Sequence, residues 1–370
     1  MRSEVPTIMG ATNGRAIFAA TLAAVLAALG PSAARAQTVV GRVVEEGSAR
    51  GLAGAFVVLE DSAGSRQGAV LAGDDGQFRV RAPSPGRYRL VTRLIGYADQ
   101  ATGLFPLAAD ETVTRQLGVR IRAIGLEGIR AEVGTRCRRR PDGDGQTARL
   151  WEEARTALQI AEWGESGRTL RFHIVRHRRE LDAATLRVTK VRETGRRGYY
   201  AASPYRSIPA ERLESGGYVQ PAAGTGQWDY FGPDGEVLLS ESFLDTHCFR
   251  VEPASDGSRV GLAFEPVPGR SLPDIEGVLW LDRGSAELRR LEFRYVNLPY
   301  PHDDWPQVGG MVEFERLATG MWIVRRWYLR MPLAAERTGG YGDGRPRLTL
   351  RSLVEDGAEV TRIDPREGGR

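Results

Sequence analysis

Histidine, cysteine and clustered acids are few enough in this chain to weigh one at a time. His177-Arg-Arg-Glu180 has the H-x-x-E spacing of a zinc-binding pair, and His302 lies downstream in the position of a third ligand. Residues 170–192, however, read as strands joined by a charged hairpin, which is not the setting of a peptidase site beneath a parallel sheet. His173 and His177 would share one strand face, and two ligands do not close a zinc site. The chain holds four histidines among many glutamates, so one such match arises by chance. His247 beside Cys248, with Asp245 close by, has the ingredients of a Cys–His pair, which an oxidised thiol would abolish.

Two acidic groups have partial calcium-loop character. Asp142, Asp144 and Glu153 sit at suitable spacing, but Thr147 occupies the position where such a loop demands glycine. Asp74 and Asp75 precede Gly76, the ordinary composition of a β-turn. Asp303, Asp304 and Trp305 lie in a Pro- and aromatic-rich loop, residues 299–306, read as a stiffened hairpin connection. No Gly-x-Ser-x-Gly, phosphate-binding loop or dinucleotide fingerprint occurs. The expectation is a non-enzymatic protein with no catalytic residues, no metal ligands and no cofactor.

The only cysteines are Cys137 and Cys248. An even count in an exported chain predicts a disulfide between them, closing a loop of 111 residues by subtraction (248 − 137).

The elements that must position these groups are mostly strands. Ile275 to Met331 reads as four consecutive strands: Ile275, Gly277, Leu279 and Leu281; then Leu291, Phe293 and Tyr295; then Val312 and Phe314; then Trp327, Leu329 and Met331 each alternate with polar residues. Upstream, Leu170–Val175, Leu186–Arg192, Trp228–Phe231 and Glu236–Leu239 read as strands, the last two joined by a turn at Gly232-Pro-Asp-Gly235. Downstream, Arg347–Leu353 and Glu359–Ile363 do the same. Asp144 or Thr147 is placed to cap a helix running to about Trp163, with Trp151, Ala154, Leu158 and Ala161 on one face. Short helical turns are expected near Ile208–Leu213 and Glu241–Leu244. One main helix against a curved antiparallel sheet of seven to ten strands gives an α+β domain over residues 147–370. Residues 131–146, with the charged run Arg136–Arg140, read as a solvated linker.

The first domain, residues 37–130, shows short strands with Gly, Pro and Asp between them. They are Thr38–Val44, Gly54–Leu59, Asp74–Val80, Pro85–Val91, Leu94–Tyr97 and Glu111–Leu117. The motifs G-x-V-V, D-D-G-Q-F-R-V, P-G-R-Y-R-L and Ile-Gly-Tyr resemble the carboxypeptidase regulatory-like domain. That resemblance implies a non-catalytic, transthyretin-like, seven-stranded β-sandwich within a wider carbohydrate-binding-like fold group. It further implies an adhesive or spacer module of the bacterial envelope. The C-terminal meander is similar, more loosely, to the lipoprotein-sorting (LolA-like) curved sheet. The whole chain is therefore expected to be mainly β.

Residues 1–36 carry Arg2 and Arg15, an apolar run Ala16–Leu29 and a small-x-small end at Ala34-Arg35-Ala36, the pattern of a cleaved secretory leader. The run is about 14 residues, short of the roughly 20 needed to span a bilayer. Its removal subtracts three arginines and one glutamate, taking the net charge from +4 to +2. Acids that nearly match bases argue against nucleic acid as a partner. The expected location is the periplasm or the outer-membrane periphery, with no transmembrane span in the mature chain. The expected partner is an envelope protein, a glycan or a lipid. Two alternative functions follow: a carrier sheltering an apolar ligand beneath the strands of Trp280 and Trp327, and sugar binding by the sandwich.

Overall fold

A computed structural model describes residues 37–121, 138–141, 145–166, 170–198, 206–224, 227–300, 305–337 and 347–365. The N-terminal part is a sandwich of eight strands: β1 (Gln37–Glu45), β2 (Phe56–Asp61), β3 (Arg66–Leu71), β4 (Gln77–Ala82), β5 (Gly86–Arg93), β6 (Gln100–Ala101), β7 (Phe105–Leu107) and β8 (Thr112–Val119). One sheet has the order β4-β1-β8, with β1 and β8 parallel. The other has the order β3-β2-β5-β6, with β7 added on β5. Phe78 and Val80 alternate with exposed Gln77 and Arg79, so one side of β4 enters a core with Val39, Val57, Leu59, Leu90 and Leu117. The eight strands exceed the expected seven because β6 and β7 are very short.

One local expectation is corrected here, and one further strand was unanticipated. Leu94–Tyr97 is a turn, not a strand: Gly96 takes φ 84°, and Tyr97 makes only an isolated bridge to Ile121. β3 had no alternating signal, because its residues are half-buried on both sides. The Asp74-Asp75 turn is as expected: Asp75 Oδ1 accepts from Gln77 N at 3.0 Å, and Gly76 has φ 81°.

The rest of the chain begins with β9 (Arg138–Arg139) and helix α1 (Gln146–Ser166). Next come β10 (Leu170–Asp182), β11 (Val188–Gly198), α2 (Ala210–Gly216), β12 (Val219–Pro221), β13 (Trp228–Tyr230), α3 (Gly235–Leu239) and α4 (Glu241–Thr246). Then follow β14 (His247–Pro253), β15 (Arg259–Pro266), β16 (Asp274–Asp282), β17 (Leu288–Val296), β18 (Gly309–Arg316), β19 (Trp322–Arg337) and β20 (Arg347–Pro365). Ten of these strands form one antiparallel sheet, ordered β11-β10-β20-β19-β18-β17-β16-β15-β14-β9. The two expected C-terminal strands are one long strand, β20.

Glu236–Leu239 is helical instead of extended. Asp234 caps α3 by accepting from Val237 N at 2.9 Å, which turns the proposed hairpin into a helix start. The charged run at 136–140 is also more than a linker where it is described. Arg138 and Arg139 pair with Phe249 and Cys248 at the sheet edge, and Arg140 meets Asp245 and Glu241 on α4, both at 2.6 Å.

Helix α1 is buried along two stripes. Trp151, Ala154, Leu158 and Ala161 face the large sheet, where Trp151 packs 6.2 Å from Phe249. Glu153, Thr156, Ile160 and Trp163 form a second stripe about 200° away by helix geometry. From it, Glu153 accepts from Gly96 N at 3.3 Å and Trp163 packs 5.6 Å from Phe56 of β2. One continuous core therefore joins Phe56, Val58 and Val91 of the sandwich, the helix, and the inner face of the ten-stranded sheet. Its fully buried aromatics include Trp322, Phe243, Phe249 and Phe264. Burial of each such side chain contributes about 2–3 kcal/mol.

Candidate functional site

Strand alternation gives the large sheet two faces. On the core face, Phe264, Gly277, Phe293 and Gly310 are register neighbours across β15 to β18. A Cβ on Gly310 would come 2.4 Å from the Phe293 ring, and one on Gly277 2.7 Å from the Phe264 ring, so each aromatic ring occupies space beside a glycine.

The opposite face is charged and ordered in three transverse rows. Trp280, Arg290, Glu313, Arg326 and Glu359 form one. Val278, Glu292, Met311, Tyr328, Gly357 and His177 form the second. Glu276, Arg294, Gly309, Arg330, Glu355 and Arg179 form the third. Within and between rows the charges are paired: Arg290 to Glu313 at 2.7 Å and Glu292 at 2.9 Å, Arg326 to Glu313 at 2.9 Å, Arg294 to Glu276 at 2.7 Å. Trp280 Nε1 donates to Glu292 at 3.0 Å. A hollow of about 330 Å3 opens on this face, lined among others by Arg250, Glu265, Glu276, Val278, Glu292 and Arg294.

The most buried charged side chain of these rows is Glu355, 5% exposed. It receives Arg330 at 2.9 Å, His177 Nε2 at 3.2 Å and Arg179 at 3.5 Å. His177 lies over Gly357, where a Cβ would stand 2.6 Å from Nε2. Burial, and then the nearby Arg179 charge, hold the His177 pKa below the usual imidazole value, against the opposing pull of Glu355.

This geometry separates the residues singled out from sequence. Glu180 is three residues from His177 on the same strand and faces the other way, bonded to Lys190 at 2.8 Å. His173 pairs with Asp364 at 2.7 Å, and His302 lies outside the described residues. Among the described residues, no three His, Cys, Asp or Glu side chains are grouped to hold a metal. Glu153 of the supposed calcium loop is 3% exposed against the sandwich, and Asp142 and Asp144 lie outside the described residues, as do Asp303 and Asp304. His247 and Cys248 alternate to opposite faces of β14, so they do not pair. His247 Nε2 is instead 3.2 Å from fully buried Asp274, which Arg270 also contacts.

Cys248 is 1% exposed, and no cysteine among the described residues is free; Cys137 lies outside them. Trp280 and Trp327 project to opposite faces of the sheet and line no common space. The space between α1, α3 and the sheet at Val312, Phe314 and Val324 is about 20 Å3, room for a single water and far from an acyl chain.

Glu355, Arg330 and Gly357 escaped sequence reading because they lie 153 to 180 residues from His177 in the chain. Their signal was present as period-two charge, Arg290-x-Glu292-x-Arg294 being the plainest instance.

Residues 38–120 match the carboxypeptidase regulatory-like domain family, which defines the sandwich as that module. No curated protein matches the chain in sequence. The solved structures it matches are of low similarity. The pilus 2b backbone protein of group B streptococcus is 15% identical, with a TM-score of 0.20, over 24% of this chain and 42% of that one. The minor pilin GBS52 of Streptococcus agalactiae is also 15% identical, with a TM-score of 0.20, over 28% and 49%. A DUF1329 family protein from Desulfovibrio piger is 9% identical, with a TM-score of 0.24, over 59% and 95%. The chain thus spans less than half the length of either streptococcal structure. No helix among the described residues is long and apolar enough to cross a membrane.

Proposed function

We propose that this chain is an exported, non-enzymatic protein of the cell envelope. Its regulatory-like sandwich serves as an interaction module, and the charged face of the ten-stranded sheet serves as a binding or assembly platform. The observation that carries this reading is the set of three register-aligned rows, whose charges pair within and between rows. Their charges are fixed in register by the strands and neutralised by one another, which favours orientation and selection of a broad partner surface over transformation of a small substrate. His177, the most chemically suggestive side chain, is held by Glu355 and packed on Gly357, which supports a structural role for it.

Export is supported by the composition of residues 1–36, and the location expected from it is the periplasm or outer-membrane periphery. An oxidising compartment also suits a Cys137–Cys248 bridge. Strand β9 brings Arg138, the neighbour of Cys137, against Phe249, the neighbour of Cys248.

The test is site-specific photocrosslinking in intact cells, with the probe at Arg326 or at Trp280. A discrete adduct from these positions, and none from a probe at Asp110 on the sandwich, is the expected result. Hydrolytic turnover that disappears in a folded His177→Ala variant would overturn the reading.

A further inference from the structure

The sandwich carries a cleft of about 600 Å3 over its three-stranded sheet and the adjoining β3, whose Val70 and Leu71 also line it. In its centre, Val40 and Arg42 of β1 stand between Arg79 and Gln77 of β4 on one side and Thr114 and Gln116 of β8 on the other. Arg115 also lines it, with its guanidinium 4.8 Å from the Phe105 ring. Among the described residues no carboxylate lines this cleft, and the nearest bonded to a lining side chain is that of Asp75, which accepts from Gln77 Nε2 at 2.6 Å.

Elsewhere in the module arginines are of both kinds. Arg50, Arg89, Arg93 and Arg120 each meet a carboxylate, on Glu45, Glu60, Asp99 and Glu46 respectively. Among the described residues, Arg66, Arg81 and Arg87 meet none. In the cleft, Arg42, Arg79 and Arg115 likewise meet none among the described residues. Arg42 Nε donates to the Asp75 carbonyl at 2.7 Å, and Arg115 Nη1 to the Thr114 carbonyl at 3.2 Å. The guanidinium groups of the cleft are therefore in no ion pair among the described residues.

We propose that this cleft binds an acidic polysaccharide, a chain of hydroxylated rings carrying carboxylates or phosphates. The proposal deepens the reading of the sandwich as an interaction module and rests on it. Guanidinium groups match carboxylate and phosphate oxygens in planar, bidentate fashion. Gln116 and Thr114 stand beside the arginines as donors and acceptors for hydroxyl groups, while the Gln77 amide donates to Asp75. The floor favours a glycan over a peptide. β1 is hydrogen-bonded on both sides, so an extended peptide finds no free main-chain groups along it. The recognising side chains stand on strands fixed by the core beneath, so little order has to be gained on binding.

The test uses the full chain in affinity electrophoresis through gels containing polygalacturonate, with neutral dextran and poly-glutamate as parallel gels. The expected result is retardation by polygalacturonate and none by dextran. Dissociation constants should weaken at least about tenfold in Arg79→Gln and in Arg42→Gln, and less than twofold in Arg87→Gln, an equal charge change outside the cleft. Absence of retardation by polygalacturonate, equal weakening by Arg87→Gln, or equal retardation by poly-glutamate would each overturn the proposal. Circular dichroism of each variant separates lost binding from lost fold. The variants all lie in the sandwich, so the result is independent of whether the sheet face crosslinks a partner.

Discussion

Gly54 of the sandwich and Gly320, in the turn between β18 and β19, meet backbone to backbone. A Cβ on Gly54 would come within 2.8 Å of the Gly320 Cα, and one on Gly320 within 2.5 Å of the Gly54 Cα. Both residues adopt positive φ, 68° and 82°. Gly320→Ala therefore adds a clash at the joint to left-handed strain, together about 2–4 kcal/mol. Urea denaturation should show the lower midpoint, and Gly224→Ala, at positive φ with open space around it, should lose only the smaller strain component.

Glu355 and Glu313 are a matched contrast between a buried and a partly exposed carboxylate. Removal of Glu355 leaves Arg330, Arg179 and His177 around a buried vacancy, so Glu355→Ala should cost about 3–5 kcal/mol. Glu313 serves Arg290 and Arg326 nearer to solvent, and Glu313→Ala should cost about 1 kcal/mol or less. Equal losses in equilibrium unfolding would refute this ranking of the face.

The inner face supplies a packing prediction. Phe293→Ala should empty the space beside Gly277 and Gly310 and cost about 3–5 kcal/mol, seen as a lower thermal midpoint without loss of far-ultraviolet β signal.

Glu162 gives a pH prediction with a definite sign. Burial, then the charges of Asp234 and Glu236, raise its folded pKa above 4.5. Between the unfolded and folded pKa values the folded state binds more protons, so this group lowers stability as pH rises through that window. Glu162→Gln should raise the melting temperature at pH 7 and leave it unchanged near pH 3. His177 has the opposite profile. Its folded pKa lies below 6.5, so its neutral form contributes stability that is full above 6.5 and is lost as pH falls below it.

The Cys137–Cys248 bridge predicts an intact mass two hydrogens below the dithiol and a stability loss on reduction of up to about 4–5 kcal/mol. Two titratable thiols in protein isolated without reductant would refute it.

Much of the fold was legible in the chain. Leu279 and Leu281, Leu291 and Phe293, and Val312 and Phe314 announced the meander, because a sheet with one buried face imposes period two. The second stripe of α1 was not legible. It starts with Glu153, weighed in the sequence only as a calcium-loop acid, and Thr156, polar residues that give no apolar period; the partner of the carboxylate, Gly96, lies in the sandwich. Likewise Glu236–Leu239 looked extended until the Asp234 cap closed the turn. The charged face was visible as alternation, but its centre at Glu355 depends on strands brought together from distant parts of the sequence.

The two stripes of α1 have a mechanical consequence. A module on a flexible tether hands an applied load to the tether. Here, a pull on the sandwich passes through Phe56, Trp163 and the helix, spreading into the ten strands as shear between packed layers. Separated from one another, the two halves would each expose an apolar wall, so the sandwich functions as a graft onto the larger body and not as a bead on a string.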